Sequence, residues 1–174
     1  MSLARVVDPS RKVLLASVGA VAFILALGAL DHWTHGAVDL PALIPPFGAS
    51  TVIVFFAPET LASRAWNVIA GHLGSALAAA LVLVLLPEAP LALNGALAVA
   101  GAGLWMVASK SVHPPGGATA LFAVLGGRGL HFGALLPLAA GCALLVGIRR
   151  LLDMAISFRA AQRASAESDS LVRQ

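Results

Sequence analysis

Four apolar runs set the frame of the chain: residues 13–30, 66–86, 91–108 and 130–148. A hydrocarbon core about 30 Å thick takes roughly 17–25 residues of helix, so each run predicts one membrane span. Charged residues collect at the edges of these runs and in the two tails. Trp33, Trp66 and Trp105 stand near run ends, where amphipathic rings prefer the membrane interface. Between the spans lies a phrase that occurs twice. Pro45-Pro46-Phe47-Gly48-Ala49-Ser50 returns 69 positions later as Pro114-Pro115-Gly116-Gly117-Ala118-Thr119, and each copy leads into a shorter apolar run, 51–57 and 120–125. Pro87-Glu88-Ala89-Pro90 separates the two copies of this pattern. The chain therefore reads as an N-terminal segment 1–12, a first repeat 13–86, a second repeat 91–148 and a polar tail 149–174 whose first part prolongs the last helix and whose end is expected to be disordered.

A double proline is excluded from a helix interior, because it lacks amide donors and its rings clash with the preceding turn, but it is tolerated in the first turn. Each phrase thus predicts an extended arm followed by a helix start at membrane depth. Gly/Pro-interrupted apolar segments at corresponding places in two halves are the sequence mark of a transporter's binding site. Each repeat becomes a span, an arm, a half-helix and a span. An arm of about six residues at ~3.1 Å each and about eleven helical residues at ~1.5 Å can cross or turn back, giving either four or six crossings. Charge favours six. Both tails are Arg-rich and so cytoplasmic. Six crossings put Arg64 and Lys110 inside and Asp31, Asp39 and Glu88 outside, with only Arg128 misplaced. Three crossings per repeat make the repeats inverted.

Composition agrees. The 174 residues are 59% hydrophobic and 11% charged, with mean hydropathy +0.92, against about a quarter charged in soluble domains. This is an all-α integral membrane protein. The net charge of +3 is scattered, which suits membrane orientation and not a nucleic-acid stripe. One cysteine, Cys142, rules out an intrachain disulfide and a Cys-based metal site. Residues 13–30 are longer than a signal-peptide core and are read as a retained first span. An Ala/Gly-rich, Tyr-free, Arg-over-Lys composition suggests a GC-rich bacterial source and the inner membrane.

The chemistry these elements predict is anion binding. A helix that starts in the membrane turns unpaired N–H groups and a partial charge of roughly +0.5 into its N-terminal space, and two such starts would surround an oxyanion. The candidate binding residues are Pro46, Phe47, Gly48, Ala49, Ser50 and Thr51 in the first copy, with His113, Pro115, Gly116, Gly117, Ala118 and Thr119 in the second. Glycines let a ligand reach the backbone, or only let helices pack; the hydroxyls donate. His113 can donate to the anion or carry a coupled proton, or simply cap a carbonyl. His72, among small residues, takes part in the site or in helix packing, and Asn67 and Asn94 are expected to hold broken backbone. Lys110 either attracts the anion or snorkels. Arg64 and Glu59, at the end of the first short helix, either pair with each other, the favoured reading, or take part in the site. His32 and His35 lack further ligands, so no metal, no cofactor and no catalytic set is expected, and His131 reads as interfacial.

Val112-His113-Pro114-Pro115-Gly116-Gly117-Ala118-Thr119-Ala120-Leu121 closely resembles the HPP family of integral membrane proteins, named for the His-Pro-Pro triplet. Pro46-Phe47-Gly48-Ala49-Ser50 and Asn67-Val68-Ile69-Ala70-Gly71-His72-Leu73 resemble the same pattern, and the likeness covers roughly residues 13–148. Family members are usually described with four transmembrane helices, and plant and cyanobacterial ones are associated with nitrite transport. The resemblance implies a permease for a small inorganic anion such as nitrite, as transporter or channel. Two rivals stand beside it: a membrane-embedded enzyme using His72, His113 and Glu59, against which no nucleophile–base pair is visible, and a structural or regulatory subunit. Small-residue patterns at Gly71-x-x-x-Ser75 and from Gly95 to Gly103 offer faces for a homo-oligomer in the lipid bilayer.

Overall fold

A computed structural model of the chain describes residues 9–33, 40–126 and 132–172; Thr34, His35, Asp39, Arg128 and His131 lie outside them. The described residues form α1 (Pro9–Trp33), α2 (Leu40–Phe56), a 3-10 turn (Leu61–Ser63), α3 (Ala65–Leu85), α4 (Leu91–Ala108), α5 (Pro115–Leu125) and α6 (Phe132–Val172). Four of the helices are long and apolar enough to cross a membrane, at Ser10–Trp33, Ala65–Leu85, Leu91–Ala108 and Leu135–Arg159, and α2 and α5 are the shorter apolar pair. The all-helical frame of four spans and two short helices is therefore as the apolar runs predict.

Side-chain contacts fix the direction of each helix. Phe23 of α1 stacks edge-on against Phe47 of α2 at 5.6 Å between ring centroids, while Gly19 faces Phe55, so α1 and α2 are antiparallel. Gly141 of α6 faces Phe47 and Arg149 reaches the Val54 carbonyl, so α6 runs with α2. Trp105 of α4 donates to the Ala70 carbonyl of α3 at 2.9 Å, and Trp66 donates to Ser109 at 3.1 Å, which makes α3 and α4 antiparallel. Ser109 thus lies level with Trp66, and the chain then turns back along α4, since Leu121 of α5 faces Gly95. Odd-numbered helices run one way and even-numbered helices the other, so the first three oppose the last three in direction.

Two apolar clusters hold the bundle. Phe23, Leu27, Phe47, Val68, Leu138 and Leu145 join α1, α2, α3 and α6. Ala79, Ala98, Ala102, Met106, Ala120 and Val124 join α3, α4 and α5. Without a hydrophobic force between helices in lipid, close backbone approach supplies the attraction, and the glycines permit it. An added Cβ at Gly74 would collide with the Trp105 indole, and one at Gly116 would lie 2.7 Å from the Gly71 carbonyl oxygen.

Three local features depart from the sequence reading. First, α2 begins at Leu40 and runs through Pro45 and Pro46, so the first phrase is neither an arm nor a helix start. The prolines fall within the first two turns, where the bonds forgone are those to the Pro41 and Ala42 carbonyls near the helix end, and the cost is small compared with a break in mid-helix. Second, α6 continues to Val172 instead of fraying. Past Gly147 the tail holds no Gly or Pro and is rich in Ala, Leu and Arg, all strong helix formers, so the expected prolongation of the last helix runs on through the part expected to be disordered. Third, Arg64 and Glu59 do not pair; the salt bridge among the described residues is Arg149–Asp153, at 2.6 Å.

Lys110 explains how α4 ends. Its φ of 54° is left-handed, its N–H bonds back to the Val107 carbonyl at 3.2 Å, and the Ser111 N–H bonds to Met106 at 2.8 Å. That is the doubly bonded helix stop normally closed by glycine. A side chain in this conformation costs roughly 1–2 kcal/mol. Lys110→Gly is accordingly expected to raise stability by about 1 kcal/mol, read as a higher unfolding temperature in detergent.

Candidate functional site

The second phrase does start a helix: Pro115 opens α5, with Pro114 as its cap residue. Its first amides are already engaged, however. Gly116 N–H bonds to the His113 carbonyl and Gly117 N–H to the Pro114 carbonyl, both at 2.9 Å. At the first phrase, residues 48–50 lie inside α2, where their amides belong to the helix. The expected pair of amide cradles facing each other is therefore not what the two phrases build.

What they build is a chain of side chains. The sixth residues of the two phrases, Ser50 and Thr119, meet on opposite edges of one imidazole. Ser50 Oγ lies 2.8 Å from His72 Nε2, and Thr119 Oγ1 lies 2.6 Å from His72 Nδ1. Ser50 Oγ is also 2.9 Å from His113 Nε2, and His113 Nδ1 is 2.8 Å from the Ala62 carbonyl oxygen. Ser50, His72 and His113 are 0% exposed and Thr119 is 5% exposed. Helix geometry places them. Ser50 sits one turn beyond the prolines, and its hydroxyl has a second acceptor in the Pro46 carbonyl at 3.0 Å. His72 is pressed between the Phe47 ring, 5.0 Å away, and the His113 ring, 4.9 Å away.

Donor counting assigns the protons. The Ala62 carbonyl can only accept, so His113 carries its proton on Nδ1 and its Nε2 accepts from Ser50. With that hydroxyl proton used, His72 Nε2–H donates to Ser50 Oγ, and His72 Nδ1 accepts from Thr119. For neutral imidazoles this is the one arrangement that satisfies all four ring contacts. Every donor then points the same way, from Thr119 to Ala62. If His113 gains a proton, Ser50 Oγ can accept from both imidazoles and turn its own proton to Pro46.

The backbone that carries His113 is tied down on all sides. Asn67 Nδ2 donates to the Val112 carbonyl at 3.0 Å, the His113 N–H meets Met106 Sδ at 3.3 Å, and a Cβ at Gly71 would lie 2.7 Å from His113 Cβ. Asn94 lies elsewhere, donating to the Leu86 carbonyl at 3.1 Å. Thr51 bonds back to Phe47 at 2.7 Å and does not join the chain. Pro46, Phe47, Pro115 and Gly116 are buried around it, Gly48, Gly117 and Ala118 are half-buried, and Ala49 and Lys110 are exposed. Gly48 and Gly117 face open space, with nothing within 4 Å of an added Cβ. The enzyme reading lacked a nucleophile–base pair in the sequence; Ser50 and His113 form one in space. The sequence places Ser50, His113 and Thr119 in one candidate set and His72 beside it, without showing that they touch. The signal that joins Ser50 to Thr119 was their shared place in the repeated phrase.

Residues 6–160 match the model of the HPP transmembrane region. The chain belongs to the HPP family. Two transmembrane proteins of Dictyostelium discoideum are similar to it. One is 35% identical over 124 residues, covering 68% of this chain and 40% of the relative. The other is 33% identical over 129 residues, covering 71% and 45%. The chain thus spans less than half the length of these relatives. No solved structure matches it. The HPP phrase itself, His113-Pro114-Pro115, is the stretch that brings the second imidazole to Ser50.

Proposed function

We propose that this HPP protein is a permease for a small inorganic anion, with the Ser50–His72–His113–Thr119 chain as the polar centre of its path. The observation that carries this reading is the meeting of equivalent positions of the two repeats on one buried imidazole. Buried polar groups in a membrane protein are costly and mark substrate paths. The lining offers hydroxyl and imidazole N–H donors, and the buried polar residues among those described include no carboxylate, which suits an anion and not a cation. Nitrite is the favoured cargo through the family resemblance. The centre is sealed in this conformation, so passage needs a second state that parts the α2, α3 and α5 contacts.

A coupled proton fits the same geometry, because His113 can accept one while Ser50 turns to Pro46. In proteoliposomes, nitrite uptake is expected to exceed protein-free controls and to quicken several-fold under an inward proton gradient. His113→Gln should remove the gradient dependence. Wild-type flux equal to that of empty liposomes would end the permease reading.

The reading includes six crossings in the bacterial inner membrane, with both termini cytoplasmic and a homo-oligomer in the bilayer. Support comes from the alternating helix directions and from the shared cavity that places Lys12 and Val13 beside Arg149 and Asp153. In a Cys142→Ala background, Ala62→Cys should resist a membrane-impermeant thiol reagent added outside intact cells; ready labelling would reject this orientation. An enzyme is the second reading, favoured by the Ser50–His113–Ala62 alignment, which resembles a nucleophile, base and orienting carbonyl. Against it, the Gly116 and Gly117 amides that would stabilise an oxyanion are engaged.

A further inference from the structure

We infer that the cavity at the Arg-rich, cytoplasmic end of the bundle is a binding site for a small oxyanion, a reading that rests on the permease function and adds a second station to its path. The cavity measures about 260 Å³, and its lining includes Val54, Ser63, Arg64, Arg149, Arg150 and Asp153. Three arginines and one aspartate line it. That carboxylate is committed to a single partner: Arg149 Nη2 donates to Asp153 Oδ1 at 2.6 Å and Arg149 Nε to Oδ2 at 2.9 Å. Arg149 Nη1 reaches the Val54 carbonyl at 3.3 Å. The side chains of Arg64 and Arg150 make no hydrogen bond or ion pair among the described residues. Two cationic forks are therefore left for an anion, and a planar guanidinium matches an oxyanion with two parallel N–H donors.

The place of the cavity links it to the polar centre. Val54 follows Ser50 by one turn of α2, about 6 Å along the axis. Ser63 follows Ala62, whose carbonyl receives His113 Nδ1. The cavity and the sealed centre thus share the end of α2 and the connector to α3. At roughly 30 Å³ per water, the cavity admits a small anion with several waters, so binding is weak and hydrated. Its effect is to raise the local anion concentration at the end of the path.

The same forks would suit the phosphate of an anionic phospholipid, and the test separates the two sources. Purified protein in neutral detergent is titrated with [15N]nitrite and the ligand line width is followed. Wild-type and Ser50→Ala proteins should broaden the line, and the Arg64→Gln/Arg150→Gln variant should broaden it at least several-fold less. In neutral-lipid proteoliposomes the double variant should lose several-fold more uptake at low nitrite than at saturating nitrite, and its residual uptake should lose the salt sensitivity of wild type. Equal broadening by wild type and the double variant overturns the proposal, as does no broadening by wild type. Loss of a co-purifying anionic phospholipid from the double variant with nitrite broadening unchanged makes the cavity a lipid site and likewise overturns it. The permease reading fails separately, on wild-type flux no greater than that of empty liposomes.

Discussion

Ser50→Ala is expected to abolish at least nine-tenths of anion flux while leaving an inserted, purifiable protein. Ser50 Oγ is the atom that both histidines share, 2.8 Å from one and 2.9 Å from the other. Its removal strands a donor on His72 and an acceptor on His113 in a site with no exposure, at about 1–3 kcal/mol for each buried group left unsatisfied. Unfolding temperature should therefore fall as well. Ser50→Thr is the conservative partner, because the second repeat uses Thr119 at the same place in its phrase; it should recover a large part of both flux and stability. Wild-type flux from Ser50→Ala would remove the chain from the transport path.

The second large effect separates two adjacent glycines. A Cβ at Gly116 would lie 2.7 Å from the Gly71 carbonyl oxygen and 2.8 Å from Ser75 Oγ. Backbone cannot yield as a flexible side-chain end does, so α5 must move off α3, carrying Thr119 away from His72. Gly116→Ala is expected to cost about 1–3 kcal/mol and to lower yield and unfolding temperature together with flux. Gly117 has nothing within 4 Å of an added Cβ. Gly117→Val should leave unfolding temperature nearly unchanged. If its open space belongs to the anion path, flux alone is lost. Equal stability of the two variants would contradict the packing described at Gly116.

The long elements were legible because bilayer thickness dictates a run length, and runs of that length are visible in any chain. Residues 91–108 and α4 coincide, and Pro115 opens α5 where the double proline predicts a helix start. The same rule failed at Pro45-Pro46, since whether prolines begin a helix or lie in its second turn depends on how far back the helix reaches. Nothing local fixes Leu40 as the start. The site was half legible. His72, His113, Ser50 and Thr119 were all candidates, yet the amides were expected to bind and the side chains to assist. Which of them touch is a property of helix directions and of small residues at α3–α5 contacts, which no single phrase carries. Arg149 and Arg150 fell in what read as a tail and were not among the candidates, because nothing in the sequence shows that this stretch of the prolonged last helix returns to the end of α2.

The two repeats contribute unequally to the centre. The position matching His113 in the first repeat is Ile44, and the position matching His72 in the second is Gly141. The bond from His113 to Ala62 therefore has no counterpart that could form if the two halves exchanged shapes. A net hydrogen bond is worth about 1 kcal/mol, which tilts a two-state equilibrium roughly fivefold. A permease built on such halves would rest with one side shut, and the anion concentration that half-saturates it would differ between its two faces.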